Sequence, residues 1–173
     1  MTDAQAADAE RAWRRHHALA EVERSLATFG RTDRLLELRA AADAGEVERL
    51  AAGIALEVAL GHGQPSLRKM AHLHLARFMA KRGDEEFRGH LRKAAYCQLE
   101  EVMNAGLGID MVDILPGADD AVCLATGQRS VPIHRALREE PIPNPRCPRG
   151  FGGVSAGYCT CMYVAAKAWF ERR

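Results

Sequence analysis

Over its first hundred residues the chain has almost nothing but helix-forming composition, interrupted only by short punctuation, and this limits the folds open to it. From Ala4 to Leu107 alanine, leucine, glutamate and arginine dominate, residues that lose little rotamer freedom in a helix. The stops are Gly30, Gly45, Gly61-His62-Gly63 and Gly83-Asp84. The first helix is expected to run to about Thr28, with Leu19, Val22, Leu26 and Phe29 on one face and Gly30 as its C-terminal cap. Asp33 is expected to cap a second helix through Leu35, Leu36 and Leu38, closed by Gly45. Glu46 to Leu60 is apolar nearly all round (Leu50, Ile54, Ala55, Val58, Leu60) and reads as the most buried helix. Pro65 and Ser66 open the next, whose apolar face is Leu67, Met70, Ala71, His74 and Phe78. Phe87, Leu91, Ala94, Gln98 and Val102 line a last long helix that stops near Gly106. Loops this short make neighbouring helices antiparallel, which predicts an up-and-down bundle over residues 1–107.

After Gly108 the texture changes. Ile109 to Leu115 reads as a short strand bounded by Pro116-Gly117, Val131 to Glu140 as a short helix, and Gly157 to Val164 as a second strand. Pro141, Pro143 and Pro145 hold the stretch between them extended. The expected fold is therefore mainly α, with a helical bundle at 1–107 and a small α+β, cysteine-rich, two-stranded module at 108–173.

That module carries Cys123, Cys147, Cys159 and Cys161, four of the five cysteines, in a segment too short to bury a large core. Small modules of this kind are often stapled by metal. Residues two apart on a strand project to the same side, so Cys159 and Cys161 can offer two thiolates to one ion. With Cys147 in a proline-rich turn and Cys123 after the first strand, a four-thiolate tetrahedral site is reasonable, and thiolates favour zinc. The spacing lacks a C-x-x-C pair, since Thr126 stands where one would be completed after Cys123. The four residues are thus either ligands to a structural zinc, with His134 in reserve, or buried reduced thiols. Cys97, on the flank of the long helix, reads as a buried thiol.

The order of these features resembles the cysteine-rich terminal segment of phage Mu F-like head morphogenesis proteins and related bacterial proteins. Asp119, Asp120 and Cys123 match the acidic turn and first cysteine, followed by Gly127, the proline-rich Pro141 to Pro145, and the C-x-C pair Cys159 and Cys161. The likeness covers about a third of the chain. It implies a structural or assembly role, with a protein as partner, and Cys147 then stands in for the ligand that Thr126 does not supply.

Lysine plus arginine (24) nearly equals aspartate plus glutamate (23) in the 173 residues. That balance argues against electrostatic capture of nucleic acid, which needs a basic stripe; Arg146, Arg149, Arg172 and Arg173 are a thin signal for phosphate contacts. No apolar run reaches the ~18 residues of a membrane span, and the acidic start does not read as a signal peptide. The expectation is a cytoplasmic protein, of bacterial origin by its alanine and arginine, whose cysteines stay reduced or bind metal.

The competing class is a metal-dependent hydrolase or nuclease using Asp119, Asp120 and His134, with Glu139 and Glu140 nearby. Gly150 to Gly153 lacks the lysine of a phosphate loop and reads as a turn. His72 and His74 lie about 200° apart on a helix and cannot chelate one ion together. His74 is expected as a hydrogen-bonded core histidine; His16 and His17 diverge and are expected in solvent.

Overall fold

A computed structural model describes residues 2–105, 108–115, 129–139 and 162–165. The elements are α1 (Asp3–Phe29), a 3-10 turn (Thr32–Arg34), α2 (Leu35–Arg39), α3 (Ala44–Gly61), α4 (Pro65–Lys81), α5 (Phe87–Asn104), β1 (Met111–Leu115), β2 (Arg129–Pro132), α6 (Ile133–Glu139) and β3 (Met162–Ala165).

Local chemistry sets the helix ends. Thr2 and Gln5 form a reciprocal capping box at the start of α1. Gly30 ends it at φ 71°, with its N–H and that of Arg31 donating to the carbonyls of Ala27 and Leu26. Asp43 caps α3, its carboxylate accepting from the Glu46 N–H at 2.8 Å. Pro65 occupies the first turn of α4, where its missing N–H costs nothing.

The second helix departs from expectation. Asp33 lies inside the 3-10 turn, α2 ends at Arg39, and Gly45 falls in the first turn of α3 instead of closing α2. Asp43 is the better cap, because its oxygen reaches an otherwise unsatisfied N–H. The short, returning α2 between α1 and α3 keeps the expected up-and-down order. Arg15 bonds to the carbonyls of Ala41 and Arg39, and Arg31 pairs with Glu57. Arg15 in α1 thus meets the segment just before α3, and Arg31 just after α1 meets Glu57 near the end of α3, so the two helices run parallel. The antiparallel rule holds where the loops are tight: α4 and α5 are registered by Arg68–Glu100 at 2.6 Å and Lys69–Glu101 at 2.8 Å.

As expected, α3 is deeply buried, through Val47, Ala51, Ala52, Ile54, Ala55, Val58 and Ala59. Leu60 is an exception at 74 % exposure. The main core joins these residues to Val22, Leu26 and Phe29 of α1, to Leu38, and to Ala71 and Leu75 of α4. Leu67, Met70 and Phe78 pack at its margin, while Ala76 and Ala80 meet Phe87 and Leu91 of α5 in a second cluster. Lying between neighbours on two sides, α4 buries two faces, where the sequence periodicity revealed one.

The sheet has three antiparallel strands in the order β2-β1-β3, not two. Arg129–Pro132 is too short to show a period of two, and Val131, expected in a helix, instead pairs with Val112. Pro132 ends β2, and the Ile133 N–H donates to the Asp110 carbonyl at 2.9 Å as α6 begins. In β1, Val112 and Ile114 point inward onto Val131, Ile133, Ala136, Tyr163 and Leu99. Leu99 belongs to α5, and the Gln98 side chain accepts from the Tyr163 N–H at 3.3 Å. One helix therefore closes the bundle with its first half and floors the sheet with its second. Among the described residues no helix is long and apolar enough to cross a membrane.

Candidate functional site

Cys123, Cys147, Cys159 and Cys161, together with Asp119, Asp120, Glu140, Arg146, Arg149, Gly150 to Gly153, Arg172 and Arg173, lie outside the described residues. Glu139 closes α6. What the fold does define is where the cysteine-bearing segments are attached. The last residues of β1, Ile114 and Leu115, pair with Arg129 at the start of β2 and with Tyr163 and Met162 at the start of β3. The segment 116–128, which contains Cys123, therefore leaves and rejoins the sheet at one end. Cys161, one Cα step of about 3.8 Å from Met162, is delivered to that same end.

His134 sits at the other end. It is exposed on α6, past Pro132, which pairs with Met111 at the far end of β1. The length of β2, about 10 Å at ~3.3 Å per residue, separates it from the point at which the segment of Asp119 and Asp120 rejoins the sheet. Among the described residues no group of three or more His, Cys, Asp or Glu side chains is arranged to hold a metal.

Sequence reasoning missed the most unusual polar contact in the bundle. His72 and His90 are buried (5 % and 8 % exposed) and face each other across α4 and α5, Nδ1 to Nδ1, at 3.0 Å. A hydrogen bond between two such nitrogens requires one ring to carry its proton on Nδ1 and the other to present a lone pair there, so the accepting ring is neutral with its proton on Nε2. Burial, then the neighbouring His90, Lys93 and Arg68, pushes His72 down to about 4. Burial and Lys93 also lower His90, against an opposing pull from Glu86 and Asp84. Two nitrogens are too few for a closed structural metal site. The pair can instead satisfy two buried polar groups at neutral pH and lose that satisfaction in acid. The one available signal was His90 among Phe87, Leu91 and Ala94 on an otherwise apolar face.

His74, the histidine expected in the core, is partly buried. It meets the Phe29 ring edge-on at 5.4 Å and 85°, a favourable geometry for aromatic pairs. Burial is the first cause holding it at about 4, with Arg77 and Lys81 adding to it and Glu21 opposing. The ring borders a cleft of about 360 Å³ between α1 and α4, beside Arg24 and Met70. His16 and His17 are exposed, as expected. Cys97 is a buried free thiol whose ionisation is pushed up by burial.

No family model, curated protein or solved structure matches this sequence.

Proposed function

We propose that the chain is an interaction or assembly protein whose terminal module is held together by one structural zinc ion on Cys123, Cys147, Cys159 and Cys161. The attachment geometry carries this reading: one end of a small sheet receives both the segment with Cys123 and the strand entered from Cys159 and Cys161. A second observation supports it. The sheet's described core is seven residues, Leu99, Val112, Ile114, Val131, Ile133, Ala136 and Tyr163, and cores this small usually need a staple. Four thiolates are a closed donor set, which holds structure and leaves no open position for a substrate. The resemblance to Mu F-like head morphogenesis proteins favours a protein as the partner. The position of His134 at the opposite end of the sheet makes the hydrolase reading the weaker one.

Elemental analysis of the untagged protein tests the reading. The expected result is about one zinc per chain, lost in Cys161→Ser together with the near-ultraviolet signal of Tyr163. Zinc retained in Cys147→Ser would remove that residue from the ligand set. Fully folded protein without metal would overturn the proposal.

A further inference from the structure

Two helix faces with the same spacing meet across α1 and α4. Glu21, Arg24, Ser25 and Thr28 on α1 follow an i, i+3, i+4, i+7 pattern, and so do Met70, Leu73, His74 and Arg77 on α4. That spacing gathers four side chains on one side of a helix. Together they border the cleft of about 360 Å³, enough for a small organic molecule. The buried Phe29 and the half-buried Met70 and Leu73 give it an apolar floor. His74 lies against that floor, edge-on to the Phe29 ring. The hydrogen bond expected of this histidine is missing: among the described residues neither ring nitrogen has a partner. Burial, reinforced by Arg77 and Lys81 and opposed by Glu21, keeps the ring neutral at ordinary pH. One nitrogen therefore carries an N–H and the other a lone pair. A half-buried imidazole with both nitrogens unused can be answered only from the cleft that it lines.

The charges around the ring are unequal. Glu21 and Lys81 answer each other at 3.4 Å. Arg24 has no carboxylate partner among the described residues; its Nε donates to the Ala20 carbonyl at 3.2 Å, which leaves its two Nη groups for a ligand. The hydroxyls of Ser25 and Thr28 donate to the carbonyls of Glu21 and Arg24, so they add no donor to the cleft. Arg77 brings a second cation to the lining from the facing helix. We propose that this cleft binds a small carboxylate with an apolar body. The carboxylate pairs with Arg24 and accepts from the His74 N–H, and the body rests on Phe29, Met70 and Leu73. A guanidinium with both end nitrogens unused matches the flat fork of a carboxylate. A phosphate, compact and strongly hydrated, leaves the apolar floor uncovered, and a cationic ligand meets Arg24 and Arg77 as like charges. The named lining comes from α1 and α4, so the site stands apart from the cysteine-bearing segments.

Titration of the isotope-labelled full chain with phenylacetate, followed by backbone amide and imidazole nitrogen shifts, tests this. Saturable shifts are expected at His74 and at the cleft-facing residues of α1 and α4, with a Kd on the order of 1 mM for a ligand of so few non-hydrogen atoms. Arg24→Gln, at an exposed position, should weaken binding at least about tenfold, the effect of losing one charge-assisted hydrogen bond. Phenylacetamide, of the same shape without the charge, should bind more weakly than phenylacetate by a similar factor. Arg11→Gln, on the same helix but outside the cleft, should bind as wild type does. No saturable shift at ~20 mM phenylacetate overturns the proposal, as do shifts centred away from the cleft. Equal affinity of Arg24→Gln and wild type, or of the amide and the carboxylate, overturns it as well, because the charge then has no part in binding. So does an equal loss in Arg11→Gln, which would assign the effect to overall charge.

Discussion

Acidification should loosen the α4–α5 contact, and the effect can be worked out from His72. Its folded pKa of about 4 lies below the ordinary histidine value near 6.5, so between these values the unfolded chain binds the additional proton. Stability from this group is fully present above about pH 6.5 and falls as the pH drops toward 4, with a slope of about 1.4 kcal/mol per pH unit. Moving from pH 7 to pH 5 should therefore cost about 2 kcal/mol from His72 alone. The first cause is burial, which disfavours the charged ring, followed by the neighbouring His90; a proton added to the accepting Nδ1 also sets two N–H groups facing each other at 3.0 Å. Lys93 and Arg68 add like charge, and Glu86 and Asp84, which act on His90, offset part of it. Urea unfolding at the two pH values reads the loss. Replacing His72 alone with leucine leaves His90 buried without its partner, which should cost about 1–3 kcal/mol at pH 7. The double variant His72→Leu, His90→Leu should recover most of that, because removing both partners is close to neutral. It should also have a flatter pH dependence, with the remaining slope owed to His74. A double variant that loses as much stability as wild type between pH 7 and pH 5 would refute the assignment.

Other positions give independent checks. Leu26→Ala empties a fully buried site between α1 and α3 and should cost about 2–5 kcal/mol in chemical denaturation. Gly30→Ala forces a side chain into the left-handed cap at φ 71°; thermal unfolding should register a loss of roughly 1–2 kcal/mol. Cys97, buried with its thiol ionisation pushed up, should resist alkylation in native protein and react on unfolding, as peptide mass mapping can follow; fast native labelling would contradict its placement.

Much of the bundle was legible because its signals are local. Gly30 ends α1, Pro65 opens α4, and Val112 and Ile114 alternate inward along β1; each depends on neighbours a few residues away. Asp33 and Gly45 misled for the same reason. Both are residue types that punctuate helices, but the choice between Asp33 and Asp43 as cap was decided by which carboxylate met an unsatisfied N–H. The four-residue β2 gave no period to read, and its strand conformation comes from pairing with β1. The cysteine constellation was visible as a composition, whereas the shared end of the sheet to which its segments are anchored needed the register of three strands.

The sequence by itself determined where most helices begin and end, that α3 is deeply buried, and that Cys97 is a buried thiol, because helix propensity, capping and hydrophobic periodicity act over single turns. Only the tertiary structure decided that α5 serves two cores and that His72 meets His90 across 18 residues of chain. Those outcomes depend on how helices pack side by side, and the packing brings together side chains that no local period relates.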